Sequence, residues 1–242
     1  MNVNKILFLF VLCLIFLMPE TVFAISQEQE IEIGRQASAK IELQYGLWQN
    51  AREFNRLNRI GRSIAAISER PNLPYTFKIL NTDALNALAC PGGLIYVTKG
   101  TMNNATDGEL AFVLGHEIAH VAKRHSIKHM EKEAATKTGL LVLSSLFGKG
   151  QVNQGNINMI SAVNTVLSSG YSREDERDAD ITACHYMLRG VNANPRAAVS
   201  FMEKLKKSGK EMPEFMNNIM GDHPRTDERI KTLDEECRKL GY

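Results

Sequence analysis

Apolar positions in this chain follow a helical period over most of its length and change to a period of two only between residues 75 and 98. Ile31, Ile33, Ala37 and Ile41 predict a helix over Ser26 to Gln44, with Gly46 as its stop. Leu57, Ile60, Ile64 and Ile67 predict a second over Phe54 to Ile67, ending near Pro71. Tyr75 to Leu80 then alternates as a strand, and Asn86 to Cys90 reads as another short one. Leu94 to Thr98 is a β-rich third, after a turn at Pro91-Gly92-Gly93. A small antiparallel sheet is therefore expected. Thr106 and Glu109 have the spacing of a capping box and open the next helix. Gly139 to Gly170 reads as two apolar helices, each too short to span a membrane, joined by a mobile Gly/Asn/Gln-rich loop at 148–156. Ser172 caps a helix running to about Arg189, Pro195 to Lys207 forms another, and a last helix follows Pro224. The pattern gives a mainly helical α+β chain, without repeats.

The first residues stand apart from this pattern. Lys5 precedes a continuous apolar run from Ile6 to Met18, and Val22-Phe23-Ala24 supplies a small residue where a signal peptidase cuts. The expectation is a signal peptide over 1–24 and a single domain over 25–242, exported and most simply periplasmic; the alternative is an uncleaved inner-membrane anchor. Cys13 has no small residues before it, which argues against lipidation. A formal charge of +2 is too slight to argue for a nucleic-acid partner. Export implies an oxidising compartment, yet Cys90, Cys184 and Cys237 are odd in number, so at most one bridge forms.

The chemistry lies in His116-Glu117-Ile118-Ala119-His120. Residues four apart share a helix face, so two imidazoles can hold one zinc with the glutamate beside them as general base. With His116 at 0°, Leu110, Leu114, Ile118 and Val121 fall at roughly 120–200°, and the chemical residues within roughly 100°. One side is core and the other lines a cleft. A catalytic zinc needs a third protein ligand. On a continuous helix His125 lies roughly 180° and His129 roughly 140° away, which makes both structural. Lys123 and Ser126 stand where a metzincin has Gly and His. Glu176 and Asp180 share a face of the Ser172 helix, so Glu176 can ligate while Asp180 holds the far nitrogen of a ligand histidine. The plain alternative is a solvated charged face.

His116-Glu117-x-x-His120 followed by Ser172-Arg-x-x-Glu176-x-x-Ala-Asp180 resembles the zinc metallopeptidase family of the CAAX prenyl proteases, HtpX-type heat-shock proteases, the related mitochondrial inner-membrane protease and periplasmic β-barrel-assembly proteases. Asn86-Ala-x-Ala-x-Pro-Gly-Gly-x-Ile-x-Val, His223-Pro224 and Arg229 extend the likeness over roughly residues 30 to 240. The resemblance implies a gluzincin-like fold, mainly helical, with a sheet edge bordering the cleft. It implies one Zn2+ per chain held by His116, His120 and Glu176, with Glu117 as base and Asp180 behind the ligands. His223 and Arg229 become oxyanion or substrate contacts, His223 also a residue able to cover the metal; a plain His-Pro turn is the alternative. The chain departs from relatives in having no long apolar spans after its start and no tetratricopeptide repeats after the domain, which argues against prenylated substrates and selective docking.

The expected activity is therefore zinc-dependent endopeptidase action on unfolded or misassembled envelope proteins, with Glu117 taking a proton from a zinc-held water and returning it to the leaving amine. Substrate would add as an extended strand near Asn86, Ala87 and Gly93. Cys90, beside that edge, reads as a packing residue. An association with the membrane or the outer-membrane assembly machinery is a further expectation. The rival is a periplasmic chaperone or assembly factor using the same cleft with weak or latent proteolysis; a pure binder has no need of a base at Glu117. A structural zinc site would need a fourth ligand at suitable spacing.

Overall fold

The computed structural model describes residues 24–134, 170–208, 223 and 227–242. Residues 1–23 of the expected leader, the expected helices before Gly170 and the 148–156 loop lie outside the described residues. Helix α1 (Gln27–Tyr45) starts where Ser26 and Gln29 form a reciprocal capping box and stops at Gly46, whose φ of 65° closes it. It buries Ile33, Ala37 and Ile41. Helix α2 (Ala51–Ala65) is capped by Asn50 and turns Leu57, Ile60 and Ile64 into the main core.

Strands β1 (Thr76–Leu80), β2 (Ala87–Cys90) and β3 (Leu94–Thr98) form one sheet in the order β1-β3-β2. β2 and β3 pair antiparallel, but β1 and β3 pair parallel, so the sheet is mixed and the all-antiparallel expectation is corrected. Two successive reversals of the chain restore the direction of β1 by the time it reaches β3. The centre falls to β3 because Ile95, Tyr96, Val97 and Thr98 are all buried, as suits a strand covered on both faces. β2 is left at an edge. A 3-10 turn at Pro91–Gly93 joins β2 to β3 with φ of 78° at Gly92 and 100° at Gly93, both positive. A Cβ at Gly92 would come within 2.6 Å of the Ile31 backbone.

A short helix that the periodicity did not reveal, α3 (Lys99–Asn104), is capped by Thr98. Helix α4 (Asp107–Ala122) follows from the Thr106–Glu109 capping box and buries Leu110, Leu114 and Ile118. It ends abruptly: Arg124 takes a left-handed φ of 58°, and α5 (His125–Ala134) departs in a new direction. The expectation of a continuous helix through His129 is thereby corrected. Helix α6 (Arg173–Val191) has Ser172 and Asp175 as its capping box and left-handed Asn192 as its end. Helices α7 (Arg196–Lys207) and α8 (Asp227–Lys239) complete the described fold.

α4 is the central element, packed against α2, α6, α7 and β2. Gly115 permits the closest approach to α6, since a Cβ there would lie 3.2 Å from the Ala183 Cα. That contact is one residue from His116 and brings the carboxylates of α6 to the imidazoles of α4. Cys90, Cys184 and Cys237 are buried free thiols. No helix among the described residues is long and apolar enough to cross a membrane.

Candidate metal centre

His116, Glu117 and His120 project from one face of α4 and are buried. The two histidine Nε2 atoms lie 3.0 Å apart. Across from them α6 places Glu176, whose Oε2 is 3.6 Å from His116 Nε2 and whose Oε1 is 3.4 Å from His120 Nε2. His223 enters between the helices, its Nδ1 3.3 Å from His116 Nε2 and 2.6 Å from Glu176 Oε1. Ligand atoms of these four residues all lie within 4.8 Å of one another. Nitrogens held about 2.0–2.1 Å from a tetrahedral zinc stand roughly 3.3 Å apart, so the donor set and its spacing fit that ion. A second observation agrees. Glu117 Oε2 is buried without a hydrogen-bond partner among the described residues, an arrangement that is costly unless water or another polar group meets it.

Behind this cluster of candidate ligands the two histidines of α4 are held differently. His116 Nδ1 lies 2.9 Å from Asp180 Oδ1. Asp180 is in turn gripped by Arg229, with Nε 2.8 Å from Oδ2 and Nη2 2.7 Å from Oδ1, while Arg229 Nη1 reaches Glu176 Oε2 at 2.7 Å. Arg229 therefore meets the centre through its two carboxylates, and it also borders the cavity beside Glu117. His120 Nδ1 has a histidine partner: His125 Nδ1 lies 2.9 Å away, and His125 Nε2 is 3.6 Å from Asp175 and 3.5 Å from Asp178. The break at Arg124 turns His125 back towards the metal helix. Its expected role was structural, and its position behind His120 escaped the sequence because angles on one continuous helix cannot see a bend. His129 pairs with Asp175 at 2.7 Å. Tyr171 stacks on His120 with ring centroids 3.7 Å apart, and its hydroxyl lies 2.8 Å from Ser126 Oγ.

Burial and charge set the protonation states. Burial pushes the Glu117 carboxyl above its ordinary value, against the nearby His223 and His116. Burial acts in the same direction on Glu176, but His223, His116 and the hydrogen bond from His120 outweigh it and hold that carboxyl well below the usual range. Burial holds His120 far below the ordinary imidazole value, which leaves it neutral. The two glutamates of α4 and α6 are thus driven apart, Glu117 towards a higher affinity for a proton and Glu176 towards the anion.

Asn86, Ala87, Phe112, Val113, Phe201 and Met202 are among the walls of a cavity of about 60 Å³ that reaches His116 and Glu117. Asn86 and Ala87 are thus beside the chemistry. Gly93 is not among those walls: it sits in the turn, against Tyr75, and its φ of 100° explains the glycine.

Residues 51–237 match the model of peptidase family M48, and the chain belongs to that family. It is 26% identical over 194 residues to a protein named putative beta-barrel assembly-enhancing protease from Vibrio cholerae, a match covering 76% of this chain and 39% of that protein. It is 29% identical over 163 residues to metalloprotease LoiP of Escherichia coli, covering 66% of this chain and 62% of LoiP. It is also 29% identical over 170 residues to mitochondrial metalloendopeptidase OMA1 of Arabidopsis thaliana, covering 70% of this chain and 33% of that protein. The matched part thus spans less than two thirds of each of these relatives, and between a third and two fifths of two of them.

Proposed function

We propose that this chain is a zinc-dependent endopeptidase that hydrolyses unfolded or misassembled proteins of the cell envelope. The observation that carries the reading is Glu117, a buried carboxylate with one oxygen unmatched among the described residues, one position from His116 and lining the cavity. His116, His120 and Glu176 would hold the metal. A bound zinc ion would supply Lewis-acid chemistry, acidifying a water and polarising a peptide carbonyl. Glu117 removes the proton, and its raised affinity for that proton suits it to pass the proton on to the leaving amine. Asp180 keeps the His116 ring oriented, and Arg229 keeps Asp180 and Glu176 ionised and in place. The substrate lies as an extended strand along β2, where Asn86 and Ala87 bring it against Glu117. Main-chain pairing of that kind asks for an unfolded segment more than for a sequence, which suits export to the periplasm and a place near the outer-membrane assembly machinery.

The test is cleavage of an unfolded substrate such as casein, with and without a chelator. Activity that is lost on chelation and restored by zinc supports the reading; activity indifferent to both removes it. The position of His223 favours a second, latent state of the same enzyme. Its Nδ1 stands among the ligand atoms, where it would close the coordination and exclude water. His223→Ala then raises basal hydrolysis. A fall in hydrolysis instead assigns His223 to the oxyanion.

A further inference from the structure

The chain enters the described fold through a contact that a plain peptide does not need. Ala24 is exposed, and the next residue, Ile25, is 3% exposed. The Ile25 backbone nitrogen lies 2.8 Å from Glu131 Oε1 on α5, and its carbonyl accepts from Arg124 Nη2 at 2.5 Å. Arg124 itself lies 3.8 Å from Glu131 and 3.2 Å from buried Glu30. A carboxylate is thus aimed at one main-chain nitrogen, and that nitrogen follows the small residue at the predicted cleavage point.

We propose that removal of the leader turns the Ile25 nitrogen into an α-ammonium that pairs with Glu131 and pins α5. Hydrolysis breaks the Ala24–Ile25 amide bond: the hydroxyl of water joins the Ala24 carbonyl carbon, and its hydrogen joins the Ile25 nitrogen. The Ala24 acid ionises as the amine takes up a proton, and the residues up to Ala24 depart. Before the cut the nitrogen offers Glu131 one neutral N–H. Afterwards it offers three donors and a positive charge, and a charge-assisted bond is roughly twice as strong as a neutral one. An α-amine with an ordinary pKa of about 7.7–8.0 is protonated at neutral pH, and a carboxylate beside it favours that form.

The consequence falls on the metal centre. α5 begins with His125, which touches His120. Left-handed Arg124 sits between the metal helix and α5 and holds Ile25, Glu30 and Glu131 together. Processing therefore fastens the helix that supports His120 more tightly, and an unprocessed chain keeps only the weaker neutral hydrogen bond. The proposal rests on the export reading but not on the hydrolytic one.

Two arms test it separately. The intact mass of protein recovered from exporting cells is expected to correspond to a chain starting at Ile25; a start elsewhere overturns the processing step. For the ion pair, protein released from a cleavable partner so that Ile25 comes first is compared with the same protein acetylated at that amine and with one retaining Ala24. The free amine is expected to melt about 2–4 °C higher than either blocked form, the shift that about 1 kcal/mol gives in a chain of this size. It is also expected to slow amide exchange in α5 severalfold. Glu131→Gln should remove both differences. Equal melting and exchange for free and blocked forms, or differences that survive Glu131→Gln, overturn the pair.

Discussion

Glu117 and Glu30 are two buried glutamates with opposite surroundings, 3% and 1% exposed. Every direction around Glu30 is answered: Arg70 donates at 2.8 and 3.0 Å, Arg124 at 3.2 Å and the Gly92 amide at 3.2 Å. Glu117 has an imidazole 3.6 Å from one oxygen and no hydrogen-bond partner among the described residues for the other. Burial alone does not separate a structural carboxylate from a chemical one. The unmatched oxygen is what sets Glu117 apart from Glu30, because a buried acceptor left unmatched is costly unless something else meets it.

The sharpest way to break this contrast is to remove each acid in turn. Glu117→Gln is expected to lower hydrolysis of an unfolded substrate about 10²–10⁴-fold, the usual worth of a general base, with the melting temperature unchanged or raised. Retention of activity to within tenfold ends the assignment. Glu30→Ala should do the reverse. It leaves two arginines facing a vacated position and is expected to cost about 3 kcal/mol in denaturant unfolding at neutral pH. Activity per folded molecule should stay close to that of the parent. A loss below about 1 kcal/mol would show that Glu30 is not the junction its contacts describe.

The two clusters also differ in what the sequence made legible. Glu117 stands inside a spaced motif on a helix whose start, core face and capping box are all written locally, so its place on the polar face follows from the sequence alone. Glu176 and Asp180 were readable for the same reason, as a pair four apart after a capping serine. Glu30 was invisible, since its partners are 40, 62 and 94 positions away. The break at Arg124 was hidden too, because the left-handed residue is an arginine and no glycine or asparagine marks the turn. That one concealed turn misplaced His125. The parallel pairing of β1 was lost likewise, as alternation along a strand records which face is buried and not which neighbour it takes.

His125 lies between the two regions and tests how far one supports the other. His125→Phe is expected to weaken zinc binding about 10–100-fold by leaving His120 Nδ1 without its partner, while His125→Gln, which can still accept there, recovers part of the loss. Equal affinities for both variants would make the contact mere packing.

The smallest expected effect tests the rule of complete bonding at the opposite end of the metal helix. Glu109 is buried and meets Lys204 at 2.7 Å, Ser200 at 2.8 Å and the Thr106 amide at 2.8 Å. Burial alone would raise its carboxyl, but Lys204 and the hydrogen bonds of Thr106 and Ser200 outweigh that and hold it below the ordinary 4.5. A carboxyl depressed by folding contributes stability that is fully present above its unfolded value and disappears as pH falls through its folded value. The stability difference between the parent and Glu109→Gln should therefore be about 1 kcal/mol above pH 4.5 and shrink as the solution is acidified below it. Unfolding in denaturant across pH 3 to 6 reads this directly. A difference that stays constant over that range would mean that Glu109 holds α4 by shape and neutral hydrogen bonds, and complete bonding would then say nothing about charge.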